Sequence, residues 1–137
     1  LNGINEMRGA AAATARPVIL IVEDQPLLRE LVVELVEDAG FLALAAGDAA
    51  KAVTLLEARS DIAVLFTDVN MPGPMNGVAL AHLVHHRWPR IKILVASAKL
   101  QPPPSDLPSH SAFLRKPYRG AAMVARLRSL MDLDLVE

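Results

Sequence analysis

The chain has 137 residues, 14 basic and 15 acidic side chains, a formal charge of −1 and no cysteine. That length fits one domain. The balanced charge gives no general pull toward nucleic acid or an anionic membrane, and the missing thiols exclude disulfides, thiolate metal centres and a cysteine nucleophile.

Hydrophobic residues make up 53% and aromatics only 4%, which excludes an extended disordered chain and demands an aliphatic core. No apolar run approaches the ~18 residues of a membrane span, and the composition suits a cytoplasmic protein. Residues 1–16 (LNGINEMRGAAAATAR) are small, polar or alanine-rich and aperiodic. They are expected to be a flexible lead-in, too polar at the start for a secretory signal, with the domain over 17–137. Val18-Ile19-Leu20-Ile21-Val22 reads as a strand buried on both faces, as in a parallel sheet. Glu23-Asp24-Gln25-Pro26 opens a helix with proline near its first position. Leu27, Leu28, Leu31, Val32, Leu35 and Val36 continue it at helical spacing, and Gly40 marks the stop. Phe41 to Ala46 predicts a weaker second strand, and Gly47-Asp48 caps a second helix carrying Ala52, Val53, Leu55 and Leu56. Ile62 to Thr67 is a third strand.

Asp68 to Gly77 (DVNMPGPMNG) is a loop that feeds a third helix through Val78, Leu80, Ala81, Leu83 and Val84 and ends near Trp88-Pro89. Ile91 to Ala96 is a fourth strand. Residues 98–111 hold four prolines and cannot form a long regular helix. Ala112 to Arg115 is a short last strand. The final helix follows Lys116-Pro117-Tyr118 and turns Met123, Val124, Leu127, Leu130 and Met131 inward. Five strands alternating with helix-sized segments imply right-handed crossovers and one parallel sheet with helices on both faces. Ligands of such sheets bind outside the carboxyl ends of the strands, where the strand order reverses.

Polar residues gather at those ends: Glu23-Asp24, Asp68, Ser97 and Lys116. Three close carboxylates repel one another unless a cation sits among them. A set of oxygen donors favours a hard ion such as Mg2+. A lysine and a hydroxyl opposite them suit the oxygens of a phosphoryl group. Asp68, ending the central strand and opening the loop, is the expected phosphoacceptor, since a carboxylate can attack phosphorus to give an acyl phosphate.

The strand VILIVEDQP with its acid pair, FTDVNMPGPMNG, the hydroxyl of VASA, and FLRKPY together resemble the receiver domain of two-component response regulators, over roughly residues 17–133. The spacing is workable: 44 residues from Asp24 to Asp68, 29 on to Ser97 and 19 on to Lys116. The resemblance implies a flavodoxin-like (βα)5 fold with strand order 2-1-3-4-5, from which the proline-rich stretch departs by leaving a shortened or irregular fourth helix. It implies that Asp24 binds Mg2+ directly, Glu23 mostly through water, and Asn70 through its backbone carbonyl. Ser97 and Lys116 would meet phosphoryl oxygens, Pro117 would follow a cis peptide, and Phe113 would be the aromatic that turns inward with Ser97. Asn70 and Lys99 would tune the lifetime of the phosphoryl group. The loop after Asp68 has one residue more than the commonest receivers, which should shift the loop and leave Asp68 in place. The altered fourth helix and a last helix running almost to Glu137, with FTDVNMPG and LPSHSAFLRKPY, resemble the stand-alone receivers common in alphaproteobacteria, so a stand-alone receiver is expected.

Each residue alone has a plainer reading. Acids cap helices, Asp68 could simply begin a turn, Ser97 and Lys116 could be loop residues, and Phe113 could be a core aromatic. Their joint arrival at successive strand ends favours the site. His82 and His86, four apart, could share a face as metal ligands do, but a solvated surface is expected. The arginines of the last helix are expected to be solvated. The expected function is a phosphorelay switch, a stoichiometric acceptor and not a metabolic enzyme. A histidine kinase or phosphotransfer protein would supply the phosphoryl group, and a protein would lie downstream. Neither nucleic acid nor a membrane is expected as a partner, and the chain would be a monomer or weak homodimer. Two rivals are a pseudo-receiver that binds partners without phosphorylation and a haloacid dehalogenase-type phosphatase. The latter needs an acid where Asn70 stands.

Overall fold

The computed structural model describes residues 16–98 and 106–136. The expected flexible segment 1–16, apart from Arg16, lies outside the described residues, as do Lys99 and the first part of the proline-rich stretch.

Strand β1 (Val18–Val22) is buried along its whole length, as expected for a β-branched run with layers above and below it. Its alternate residues feed two cores. Val18, Leu20 and Val22 face one core, and Ile19 and Ile21 the other, following the two-residue period of a strand. Strands β2 (Leu42–Ala46), β3 (Ile62–Asp68), β4 (Lys92–Ser97) and β5 (Ala112–Arg115) complete one parallel sheet, in the order β2-β1-β3-β4-β5. Four helices accompany them among the described residues: α1 (Pro26–Asp38), α2 (Ala49–Ala58), α3 (Gly77–Arg87) and α4 (Gly120–Val136). Helices α2 and α3 cover the first core and α1 and α4 the second. This is the doubly wound architecture with the expected strand order.

Local signals set the helix ends. Pro26 opens α1, and Gly40, at φ 99°, supplies the left-handed residue after it. Asp48 caps α2 through Lys51 N–H at 2.8 Å, and Asn76 caps α3 through Ala79 N–H at 2.9 Å. Between β4 and β5, the described residues 106–111 form no regular helix, as expected for chain with so many prolines. His82 Nε2 of α3 donates to the Asp106 carbonyl at 2.8 Å, and so ties this segment to the helix layer.

The chain reverses strand order between β1 and β3. Their carboxyl ends carry Glu23-Asp24 and Asp68, so the fold opens its crevice beside those acids.

Candidate functional site at the carboxyl end of the sheet

Glu23 directly follows β1. Its N–H donates to the Ala46 carbonyl at 3.0 Å, extending the contact with β2 by one residue. Its side chain turns under the crevice and is only 7% exposed. Glu23 Oε2 accepts from Gln25 N–H at 3.1 Å. Burial raises the Glu23 carboxyl above its ordinary range, outweighing the Gln25 bond and Lys116, which lower it, while Asp68 and Asp24 push further upward. Asp24 is half-buried at the lip.

Asp68 ends the central strand, and its side chain is 11% exposed. One carboxylate oxygen each from Glu23, Asp24 and Asp68 lies within 4.8 Å of the others. Lys116 spans two of these acids, with Nζ 3.4 Å from Glu23 Oε1 and 3.3 Å from Asp68 Oδ2. Three carboxylates against one ammonium leave the pocket with an excess of negative charge. The donors are all hard oxygens, and burial already resists ionisation of one of them. The set fits a hard divalent cation such as Mg2+.

Ser97 ends β4 and is buried. Its carbonyl accepts Lys116 N–H at 2.8 Å, so the lysine is tied to the serine through the main chain. The Lys116–Pro117 peptide bond is cis. Asn70, two residues beyond Asp68, is exposed. Phe113 is half-buried on β5, in register with Val95. Its place in the alternation puts it on the sheet face covered by α2 and α3. His82 and His86 are exposed. Among the described residues, the acid trio is the only group of three or more ligand-type side chains clustered closely enough to hold a metal ion.

The loop after Asp68 closes tightly. Val69 N–H donates to Ala96 carbonyl at 2.9 Å, and Gly77 N–H donates to Val69 carbonyl at 2.8 Å. Its added length goes into a bend over Pro72–Pro74, where Gly73 takes φ 97°. Asp68 keeps its place in the β3–β4 ladder, opposite Ala96. A side chain on Gly77 would run into the Asp68 carbonyl oxygen and come within 2.9 Å of Val69 Cα. Only glycine lets α3 start this close to the strand end.

Three features of the site went unread in the sequence. Tyr118 packs its ring against Phe66 (centroids 6.0 Å apart, planes at 55°), beside Glu23, Asp68 and Lys116. Arg29 reaches back from α1, its Nη1 donating to the Glu23 carbonyl at 2.8 Å. Thr67 Oγ1 donates to the Asp68 carbonyl at 2.9 Å. A polar residue inside the leucine pattern of α1 was the available signal for Arg29. An aromatic directly after Lys-Pro, in a chain poor in aromatics, was the signal for Tyr118.

The sequence pattern of the response regulator receiver domain matches residues 19–128. The chain is 30% identical over 120 residues to the DNA-binding response regulator MtrA of Mycolicibacterium smegmatis, covering 85% of this chain and 51% of that protein. It is 28% identical over 80 residues to the sensor protein TorS of Escherichia coli, covering 58% of this chain and 9% of that protein. The chain thus spans about half or less of the length of these relatives. Its fold superposes at a TM-score of 0.80 and 21% identity on the signal receiver domain of an HD domain-containing protein from Pseudomonas fluorescens Pf-5, covering 89% of this chain and 99% of that one. No helix of the described residues is long and apolar enough to cross a membrane.

Proposed function

Since the chain belongs to the response regulator receiver domain family of two-component signalling, we propose that it accepts a phosphoryl group on Asp68 from a histidine kinase or phosphotransfer protein and so switches a protein-binding surface. The observation that carries this reading is Lys116 lying within 3.4 Å of both Glu23 and Asp68, with Asp24 beside them. An ammonium and three carboxylates at the topological switch point form a pocket able to receive both a cation and a phosphoryl group.

In the proposed reaction an Asp68 carboxylate oxygen attacks the phosphorus of a partner's phosphohistidine. The O–P bond forms, the P–N bond breaks, and the released imidazole takes a proton from water. Glu23, Asp24 and Asp68, with the main-chain carbonyl of Asn70, would hold Mg2+, which when bound neutralises charge on the phosphoryl oxygens. Lys116 is close enough to Asp68 to pair with another phosphoryl oxygen after small movement, and the Ser97 hydroxyl donates to a third. Ser97 is tied to Lys116 through the main chain, so closure at one draws on the other. Phe113, in register with the residue two before Ser97, responds from the neighbouring strand. We assign the lifetime of the acyl phosphate to Asn70 and Lys99. The chain acts as a stoichiometric acceptor in the cytoplasm and not as an enzyme of steady turnover.

The test is incubation with acetyl phosphate and Mg2+, read by intact mass. The parent chain should gain one phosphoryl group, and Asp68→Asn or removal of Mg2+ by chelation should prevent it. Equal modification of parent and Asp68→Asn would reject Asp68 as acceptor. No modification of either, from acetyl phosphate or from any partner kinase, would favour a pseudo-receiver.

A further inference from the structure

Asp24 has to present its carboxylate to the cation pocket from a loop, just where β1 has run out of ladder. The peptide joining Glu23 to Asp24 is planar, and one plane contains the Glu23 carbonyl, the Asp24 nitrogen and the Asp24 Cα. Whatever fixes the direction of that carbonyl therefore fixes where Asp24 begins. In this chain the fixing group is the Arg29 guanidinium, whose Nη1 donates to the Glu23 carbonyl at 2.8 Å. Arg29 is itself held at the start of α1, its N–H donating to the Gln25 carbonyl at 2.9 Å.

The guanidinium also lies over the chain that leaves β2. A Cβ built on Gly47 would sit 3.1 Å from Arg29 Nη1 and 3.9 Å from its Cζ. Gly47 does not need glycine for its φ, since its backbone is outside the left-handed region. The missing side chain instead makes room for the arginine. Glu23 N–H already bonds the Ala46 carbonyl next door at 3.0 Å. The arginine thus completes a brace that holds both sides of the Glu23 backbone, the N–H by β2 and the carbonyl by α1.

We propose that Arg29, given room by Gly47, is a positioning residue that locks the Glu23–Asp24 peptide and so presets the acid pair for a divalent cation. The proposal rests on the receiver reading of the acid pocket. It assigns Arg29 no contact with the cation or the phosphoryl group. Partners that orient metal ligands typically carry about 10–100-fold of metal affinity.

The experiment measures Mg2+ binding directly by calorimetry, in parallel with the Mg2+ dependence of phosphorylation by acetyl phosphate. Arg29→Ala should weaken Mg2+ binding by about tenfold. It should raise the Mg2+ concentration for half-maximal phosphorylation by a similar factor, with the rate at saturating Mg2+ largely retained. Gly47→Ala should give a smaller loss in the same direction, because its methyl need displace the guanidinium only slightly. In the Arg29→Ala background, Gly47→Ala should add nothing, since its effect passes through the arginine. In metal-free protein, amide exchange of Glu23, whose N–H bonds the Ala46 carbonyl, should quicken in Arg29→Ala while the thermal midpoint stays close to the parent's.

Unchanged Mg2+ affinity in a folded Arg29→Ala, or additive losses in the double variant, would overturn the proposal. A fall in thermal midpoint with no change in Mg2+ affinity would show a merely structural role and overturn it as well. Failure of the parent to take up a phosphoryl group, with Mg2+ affinity still lost in Arg29→Ala, would count against the phosphoacceptor reading and for the brace.

Discussion

Tyr118 is the only tyrosine in the chain, so its phenolate absorbance can be read without overlap. Burial, then the negative charges of Glu23 and Asp68, push its hydroxyl up to about 12 from the ordinary 10.0. The folded protein therefore keeps this proton through a range where the unfolded chain releases it. Stability is unaffected below 10 and falls as pH rises from 10 toward 12, because the unfolded state binds fewer protons there. A spectrophotometric titration should place the midpoint near 12. Asp68→Asn should move it downward by removing one of the two charges. A midpoint at the ordinary phenol value would mean that the ring stands in water and that Tyr118 is no part of the pocket. The same pocket explains why Glu23 sits above its usual carboxylate range: desolvation dominates, and Lys116 offsets only part of it.

At the scale of elements, the critical joint is the start of α3 against the end of β3. Gly77 N–H bonds the Val69 carbonyl, and any Cβ there would overlap the Asp68 carbonyl. Gly77→Ala must push the helix off the strand end. It should cost about 2–3 kcal/mol in denaturant unfolding and slow phosphorylation of Asp68, whereas a substitution at exposed Pro74 should do neither. Equal stability of the Gly77 variant and the parent would mean that the loop can relax freely. This joint also shows what could be read in advance. The strands were legible because VILIV and IAVLF are apolar runs of strand length, and the cap of α2 because Asp48 precedes helical periodicity. The acid, hydroxyl and lysine positions were legible because each closes such a run. Gly77 was seen only as a loop boundary, since its need for close backbone approach depends on Asp68, nine residues earlier. Arg29 was unread, and Gly47 read only as part of a helix cap, for the same reason. A guanidinium bonding a carbonyl six residues back, over a glycine from another crossover, leaves no mark in local spacing. The proline-rich segment was predicted to lack a regular helix, and that holds over residues 106–111.

At the scale of the whole molecule, the acid pocket adjoins an apolar groove of about 450 Å3. Leu28, Leu31, Val32 and Leu35 of α1 line one side, and Pro117 and Tyr118 the other. Leu31 of this groove is 51% exposed and Leu27, one turn earlier on α1, is 82% exposed, so the groove continues into an apolar patch on the helix. On the proposed function, a protein donor would have to bury surface to bring its phosphohistidine to Asp68, whereas acetyl phosphate would need only the pocket. Leu31→Glu should therefore slow phosphotransfer from a protein donor by about tenfold or more, equivalent to ~1.4 kcal/mol of docking, and leave the acetyl phosphate rate unchanged. A parallel fall with both donors would place the defect in the pocket.

The ladder of the sheet is uneven, with seven residues in β3 and four in β5. Asp68 stands on the longer strand, and Lys116, which neighbours it, directly follows the shorter one. The central strand is thus paired on both sides and the rim strand on one, and one ammonium joins the two. A phosphoryl group added to Asp68, as proposed, would therefore call on a lysine carried by the strand with the fewest residues to hold it in place.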